Sequence, residues 1–339
     1  MQQNVSVTAA APQWKRAVAG GCALARAAAL AASSIAIAGP AFADNGTAWL
    51  NRAATAARQL NYIGTMVYQY GPRVETSRLV HMNDGGNEYE KLLNLEGPAR
   101  EVIRASGEVY CFYPDAKVVR IEPRIFRNAF PSLSPQQQRS LAEYYEFKRA
   151  EPGRVAGIEA QAFVFEPKDG LRYGHKFWAD AATGLLLKAR VLNEKGDVVE
   201  QFAFTDISIG IKIDRSMVRP SWPTPPPDWQ IRQIGPGEVE AKDTGWVVTR
   251  LPAGFVKIAE GFRALRATRA PVAHLMFSDG LVAVSVFVEP VAGTAHSTGL
   301  KQEGAINMYI RQLEDYVVTV LGEAPPVTIR QIALAVTRR

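Results

Sequence analysis

Hydrophobic and polar residues alternate along most of the chain, which is the pattern of β-strands with one buried face. The alternation is clearest in NYIGTMVYQY at residues 61–70, and turn residues such as Gly71-Pro72 and Ser106-Gly107 divide the runs that follow. Further strand-like runs lie at residues 108–113, 118–121, 158–165, 185–192 and 198–204. The pattern predicts a sheet of eight or more antiparallel strands.

Helical spacing interrupts this alternation twice. Leu50, Ala53, Ala57 and Leu60 recur as on an amphipathic helix, and SPQQ at residues 134–137 is a capping sequence before a second helix. A sheet of so many strands must curl to bury one face, and the two helices would fill its concave side. We therefore expect a half-open barrel around an apolar hollow, which either packing side chains or a ligand would fill.

A proline-rich segment, PSWPTPPPDWQ at residues 220–230, follows the strands. Proline cannot donate a ladder hydrogen bond, so this segment should be extended, stiff and unable to pair as a strand. Trp222 and Trp229 would pin it to a domain surface. We take it as a linker that transmits a shift between domains and does not absorb it.

The remainder of the chain has a complete pattern of its own. Strand-like runs lie at residues 246–251, 255–265, 272–277, 281–289, 306–311 and 316–322, with a tight hairpin turn expected at residues 278–280. After Pro325-Pro326, helical spacing joins Ile329, Ile332, Ala333 and Val336. The prediction is a small α+β domain, a curved antiparallel sheet covered by one helix, so the whole chain is mainly β.

The first 43 residues have the anatomy of a secretory signal. Lys15 and Arg16 precede an apolar stretch at residues 27–38, and Ala41-Phe42-Ala43 offers a cleavage site after Ala43. The alternative, a lipidated Cys22, lacks the hydrophobic run before it. We expect a Sec-exported, soluble protein with the large domain at residues 44–213, the linker at 214–236 and the small domain at 237–339.

Charge and cysteine content narrow the classes of partner. The net charge is +6, three of these positive charges lie in the leader, and no block of like charge follows. A nucleic-acid partner is therefore not expected. Cys111 is the one cysteine after the leader, so no internal disulfide is expected, and its apolar neighbours predict a buried thiol.

Motifs that carry catalysis are missing from the sequence. His81, His175, His274 and His296 have no metal-ligand spacing, and there is no Gly-x-Ser-x-Gly elbow, phosphate-binding loop or Cys-x-x-Cys. We predict no metal, no cofactor, no catalytic residue and structural roles for His81 and His274. Carboxylates could still converge in three dimensions, which leaves an exported hydrolase as a remote alternative.

The inward-facing side chains of the large domain are the candidates for an apolar ligand site, with ordinary core packing as the alternative. The residues we place in this hollow are Tyr62, Met66, Tyr68, Phe163, Phe165, Phe202 and Phe204. In the small domain, Met276-Phe277 beside the hairpin turn would offer a sheet edge to an extended peptide, with hairpin core as the alternative.

Five sequence runs carry a resemblance to a known family. They are LNYIGTMVYQYGPRVETSRLVH, REVIRASGEVYCFYPD, WADAATGLLLKARVLNEKGDVVEQFAFTDISIG, MFSDGLVAVSVFVE and VTVLGEAPPVTIRQIA. Together they resemble the MucB/RseB family of periplasmic sigma-E regulators. They follow one another in the family's order, and the proline-rich linker stands in the expected place. None of them is a catalytic signature.

The resemblance implies a large domain like the lipoprotein carriers LolA and LolB, joined to the small domain. Family members bind the periplasmic part of a membrane-anchored anti-sigma factor of RseA/MucA type and shield it from a DegS-type protease, and a lipid or lipopolysaccharide fragment releases it. Homodimers or higher oligomers are common. We place the partner contacts in the small domain at Met276, Phe277, Ser278, Asp279, Tyr309 and Arg311. A lipid or lipoprotein carrier is the alternative function.

Overall fold

The computed structural model describes residues 46–123, 141–233, 239–240, 243–263, 272–291 and 298–339. The predicted cleavage after Ala43 and the capping sequence at residues 134–137 lie outside these residues. Residues 141–144 are helical and run directly into a strand.

Twelve strands form the large sheet. They are β1 (Tyr62–Tyr70), β2 (Arg73–Asp84), β3 (Asn87–Asn94), β4 (Glu101–Ala105), β5 (Glu108–Tyr113), β6 (Val118–Pro123), β7 (Tyr145–Val155), β8 (Ile158–Pro167), β9 (Gly174–Asp180), β10 (Leu186–Leu192), β11 (Val198–Ile209) and β12 (Gln230–Gln233). Their order is β12-β6-β5-β4-β3-β2-β1-β11-β10-β9-β8-β7. Neighbours are antiparallel except β12, which pairs parallel with β6, and the described strands β12 and β7 do not close the sheet.

Helix α1 (Gly46–Gln59) packs on one face of this sheet, here called the inner face. Its buried Leu50 and Ala53 follow the predicted spacing, and the Trp49 ring lies 4.6 Å from Phe163 and 5.5 Å from Phe177, centroid to centroid. A Cβ on Gly46 would come within 2.6 Å of the Phe147 ring. The helix therefore starts on a residue without a side chain because an aromatic ring occupies that space.

Register assigns the remaining side chains to faces. Met66 pairs with Phe204 and Tyr68 with Phe202 on the inner face, whereas Val67 pairs with Ala203 on the opposite, outer face. Part of the outer face is covered by the chain that follows β11, where Ile213 and Val218 pack in a buried cluster with Val80 and Met82.

The proline-rich segment also crosses the outer face. Trp222 and Trp229 pack against the cluster of Ile103, Phe112 and Val119, as expected for tryptophans that pin the segment to a domain surface. The expectation that the linker cannot pair is wrong from Gln230 onward, where β12 joins β6. No proline follows Pro227 before this strand, so its N–H groups are available to the ladder.

Seven strands form the small sheet, in the order β13-β15-β16-β17-β20-β19-β18. They are β13 (Val239–Glu240), β15 (Val256–Arg263), β16 (Val272–Ser278), β17 (Ala283–Pro290), β18 (Gly299–Glu303), β19 (Ile306–Leu313) and β20 (Tyr316–Gly322). Helix α2 (Pro326–Leu334) packs on β19 and β20, and β14 (Trp246–Val248) pairs with β21 (Val336–Arg338). The predicted curved sheet with one covering helix is confirmed.

Three local predictions need correction. Val336 belongs to β21 and not to the helix, which ends at Leu334. Ser278 pairs with Ala283, so the expected tight turn is a four-residue loop. Cys111 is half-buried in β5 and not fully buried, because its neighbour Phe112 takes the covered position beneath the tryptophans.

Candidate functional site

A hollow of about 390 Å³ lies on the inner face, beside α1. Most of its wall is apolar, and the residues that line it include Leu50, Ala57, Tyr62, Met66, Leu79, Leu92, Phe177, Leu185, Leu186, Phe202 and Phe204. Leu281 and Glu323 reach it from the small-sheet part of the chain. Both halves of the molecule therefore touch whatever occupies this space.

Four of the seven predicted lining residues are found there, namely Tyr62, Met66, Phe202 and Phe204. The others lie elsewhere. Phe163 lies under Trp49, Phe165 is 2% exposed in the core, and the Tyr68 ring lies tilted beside that of Tyr70, with 5.2 Å between the ring centroids. Because α1 covers the β8 end of the inner face, those phenylalanines pack against the helix. Leu79 and Leu92 also line the hollow, and alternation does not indicate them, because each is followed directly by another apolar residue.

Ionisable groups interrupt the apolar wall. Glu90 and Arg104 form an ion pair across β3 and β4. Tyr68 donates its hydroxyl to Glu200 Oε1 at 2.5 Å, and burial raises the pKa of the Glu200 carboxyl. Burial, and after it the charge of Glu200, raises the pKa of Glu323 to about 7.

His175 is a neutral polar group in the same wall. Burial lowers its pKa to about 4, and its Nε2 atom has no hydrogen-bond partner among the described atoms. A buried ring nitrogen without a partner is costly, so a ligand group that bonds to it would stabilise the occupied state. The hollow thus combines an apolar wall with a few polar groups, which is the composition of a small-molecule site.

Buried polar contacts join the two sheets beside this hollow. Arg172 Nε lies 3.2 Å from Asp279 Oδ2, and neither side chain is more than 1% exposed. Tyr145 donates to the same oxygen at 2.8 Å, while Asp279 Oδ1 accepts the backbone N–H groups of Leu281 and Val282. A pair so buried adds little net stability, but it fixes the position of the 279–282 loop against the large sheet.

Two further hydrogen bonds connect the same halves. Asn307 Nδ2 donates to the Tyr173 hydroxyl at 2.9 Å, and the Thr328 hydroxyl donates to the Leu171 carbonyl at 2.7 Å. Asn307 and Thr328 are fully buried. These two bonds therefore fix the helix and sheet of the C-terminal part against the segment that precedes β9.

The histidines in the described ranges make structural contacts or line the hollow. His81 Nδ1 lies 2.8 Å from the Leu60 carbonyl, and His274 Nε2 lies 3.1 Å from the Ser285 hydroxyl, as predicted for satisfied imidazoles. The described residues hold no cluster of three acidic, histidine or cysteine side chains suited to a metal ion. Nor does any described helix have the length and apolar character to span a membrane.

Two family models match the chain. The MucB/RseB N-terminal domain matches residues 45–222, and the MucB/RseB C-terminal domain matches residues 240–337. The chain belongs to the MucB/RseB family. The resemblance drawn from the sequence is confirmed, whereas the domain limits at 44–213, 214–236 and 237–339 stay a prediction.

Curated MucB/RseB relatives are similar over most of their length. Sigma factor AlgU regulatory protein MucB of Pseudomonas aeruginosa is 31% identical over 294 residues, which is 85% of this chain and 89% of that protein. Sigma-E factor regulatory protein RseB of Escherichia coli K12 is 26% identical over 279 residues, 82% of this chain and 86% of that one. Members of this family are thus known as regulatory proteins.

Solved MucB structures share the fold. The crystal structure of MucB in complex with MucA(peri) has a TM-score of 0.68 and 30% identity, covering 86% of this chain and 98% of that one. MucB alone gives a TM-score of 0.63 at 30% identity, covering 89% and 100%. The expected mainly β architecture, with a large open sheet and a small sheet carrying one helix, is confirmed.

The predicted partner residues of this MucB/RseB chain are unevenly accessible. Phe277, Ser278 and Asp279 are buried, while Met276 and Tyr309 are half-buried. Of the two interpretations of Met276-Phe277, the hairpin core agrees with the structure and the sheet edge does not, because β16 lies between β15 and β17.

Arg311 is also engaged within its own half. Its guanidinium donates to the carbonyls of Ala333 and Val336, at 2.8 Å each, where α2 ends. Its part in partner binding stays a prediction, as do those of the other five residues.

Proposed function

We propose that this protein binds the periplasmic segment of a membrane-anchored anti-sigma factor of RseA/MucA type and thereby restrains an envelope-stress sigma factor. The observation that carries this proposal is the match to MucB in complex with MucA(peri), which spans 98% of that MucB chain and both sheets of this one. Binding would shield the segment from a DegS-type protease. The export signature in residues 1–43 supports a periplasmic location.

The hollow is the proposed receptor for a lipid signal. Its volume of about 390 Å³ falls within the range of about 300 to 1,000 Å³ for small-molecule sites, and its wall suits an acyl chain. A ligand releases a partner only if it binds the partner-free form more tightly than the complex.

Leu281 supplies a route for such coupling. It lines the hollow and belongs to the loop that Asp279 fixes against Arg172 and Tyr145. An acyl chain that displaces Leu281 would shift this loop and, with it, the small sheet.

Capture of the partner tests the proposal. Purified residues 44–339 are titrated onto the immobilised periplasmic segment of the same organism's anti-sigma factor, and the segment is then challenged with its site-1 protease. We expect saturable binding, slower cleavage, and release by lipopolysaccharide. If the full chain does not bind, the regulatory assignment fails and a lipid or lipoprotein carrier becomes the leading account.

A matched pair of substitutions on β1 tests the hollow. Met66→Trp places an indole on the inner face, and Val67→Trp places the same group on the outer face of the same strand. We expect the first to weaken binding of a fluorescent fatty acid at least tenfold and the second to leave it within twofold. Equal effects of the two would show that the ligand lies elsewhere.

A further inference from the structure

Three cationic side chains surround one indole on the outer face of the large sheet. Lys176 Nζ lies 5.0 Å, Lys188 Nζ 4.9 Å and Arg190 Cζ 5.4 Å from the centroid of the Trp178 ring. The register explains the cluster, because Lys188 pairs with Trp178 and Arg190 pairs with Lys176 across β9 and β10. We call these four residues the Trp178 patch.

Lys176, Trp178 and Lys188 face away from the hollow, whereas Arg190 also borders it. His175 and Phe177, the alternate residues of β9, line the hollow, so Lys176 and Trp178 project from the opposite side. Trp178 is half-buried and packs against the buried cluster that contains Ala160 and Leu187. This packing fixes one side of the indole, and the three cations lie over the rest of its surface.

Positive charge in the patch is uncompensated within the described ranges. None of the ion pairs there involves Lys176, Lys188 or Arg190. Arg190 donates its Nε–H to the neutral Gln201 at 2.9 Å. Burial and then the charges of Arg190 and Lys176 lower the pKa of Lys188. An anion at this place would relieve the mutual repulsion of all three groups.

The shape of the surface decides between anionic partners. β9 and β10 are interior strands whose backbone groups are paired on both sides, so an acidic peptide cannot add to them as a further strand. A broad sheet face with an indole among lysine and arginine side chains suits a lipid headgroup layer, where tryptophan and basic residues concentrate.

We propose that the Trp178 patch docks on the anionic headgroups of a membrane surface. Each cation near such a surface strengthens partitioning about fivefold, so three of them contribute a factor of about a hundred. That attraction is too weak to hold the protein by itself. Combined with an anchored partner, it would orient the molecule with the outer face of β9 and β10 toward the lipid.

Vesicle sedimentation tests the proposal on the full chain, residues 44–339. The vesicles contain phosphatidylcholine alone or with 30% phosphatidylglycerol, at low and at high salt. We expect binding to the anionic vesicles only, lost at high salt because the attraction between the patch cations and the headgroups is then screened. The variant K176Q/K188Q/R190Q should bind at least twentyfold more weakly.

Two control variants keep the test specific. K195Q/K212Q/R232Q removes the same charge from exposed positions elsewhere and should stay within threefold of the wild type. K176R/K188R/R190K keeps the three positive charges and should bind like the wild type. This result would show that loss of charge, and not misfolding, weakens binding in K176Q/K188Q/R190Q. Equal losses in both triple-Gln variants, or no vesicle binding by the wild type, would overturn the assignment.

Soluble anions complete the design. If an acidic peptide or inorganic phosphate binds the patch while anionic vesicles do not, the membrane assignment is wrong and a soluble anionic partner replaces it. Capture of the anti-sigma segment in solution should be unchanged in K176Q/K188Q/R190Q, so failure here is distinct from failure of the proposed function.

Discussion

Glu323 brings a carboxyl group into a wall made mostly of apolar side chains. It follows β20 directly, and the groups that influence it are the surrounding apolar wall and the carboxyl of Glu200 on β11. Two carboxyls so close, in a poorly solvated place, do not both ionise readily near neutral pH. The junction between the sheets therefore holds a proton that the unfolded chain would release.

The pH dependence of stability follows from this proton. The pKa of Glu323 is about 7 in the folded protein against 4.5 as the ordinary value, so the folded state binds more protons between these values. Stability then falls as pH rises through that window, by about 3 kcal/mol for this group. Burial of His175, whose pKa is lowered to about 4, acts in the opposite direction in both chains, so we expect urea denaturation at pH 4.5 and pH 8 to show the loss as a difference between the wild type and Glu323→Gln.

Glu194→Gln is the control, because Glu194 lies exposed in the turn between β10 and β11. This substitution should leave the pH dependence as in the wild type. A wild type whose stability does not decline between these pH values relative to Glu323→Gln would contradict the raised pKa.

At this scale the sequence specified some of the site and not the rest. Met66, Phe202 and Phe204 line the hollow because register on adjacent strands preserves alternation, and their part in ligand binding stays a prediction. Phe163 and Phe165 share that inner face, but only the docked position of α1 shows that the helix covers them. Glu323 could not be predicted there, since its place depends on contacts between the two sheets.

Among the elements, the proline-rich segment is attached to the large sheet at several points, one of them the hydrogen bond from Ser221 N–H to Glu101 Oε1 at 2.7 Å. Its tryptophan rings lie 5.4 Å apart and pack on the outer face, and Lys117 Nζ lies 2.7 Å from Asp228 Oδ2. The segment is therefore a strap on the large sheet. A shift in that sheet would move the strap with it.

Substitution of a strap tryptophan should loosen it. Trp229→Ala removes a half-buried indole from the cluster of Ile103, Phe112 and Val119, and we expect a loss of about 2 kcal/mol in the free energy of unfolding. A nonspecific protease should also cleave this variant within the proline-rich segment. Ile231→Ala is the control, because Ile231 in β12 is 59% exposed to solvent. This substitution should change the free energy of unfolding by under about 0.5 kcal/mol.

Strands with clean alternation were predictable and charged ones were not. The sequence of β7, YEFKRAEPGRV, carries five charged residues and a proline, and only its pairing with β8 makes it a strand. The spacing of Val336 after Ile332 fits a helix equally well, yet pairing of β21 with β14 ends α2 first. Tertiary contacts decided both cases.

For the whole molecule, the two sheets meet closely enough to exclude a methyl group. Gly304, in the turn between β18 and β19, has φ +59°, and a Cβ there would lie 2.8 Å from Tyr70 Cβ in the large sheet. Nearby, Arg73 forms an exposed ion pair with Glu303 at 3.0 Å. The turn of one sheet thus rests against the β1–β2 turn of the other.

A pair of glycine substitutions separates backbone strain from this contact. Gly196 has φ +82° with no atom within 4 Å of a built Cβ, so Gly196→Ala measures the left-handed backbone alone, at about 1 kcal/mol. We expect Gly304→Ala to cost at least about 1 kcal/mol more, because a methyl group there would force the sheets apart. Thermal unfolding of both variants provides the comparison. Equal losses of stability would show that the contact between Gly304 and Tyr70 does not add to the cost of the substitution.

Strand β12 has a consequence for how the molecule is divided. Residues 230–233 form the last strand of the large sheet. They lie beyond residue 213, the predicted limit of the large domain, and beyond residue 222, where the match to the N-terminal family model ends. A fragment that stops at residue 213 or 222 would leave the backbone donors and acceptors of β6 open, and such edges recruit strands from other chains. Fragments of this kind should self-associate. Fragments extended through Gln233 should not, because β12 then covers the edge of β6.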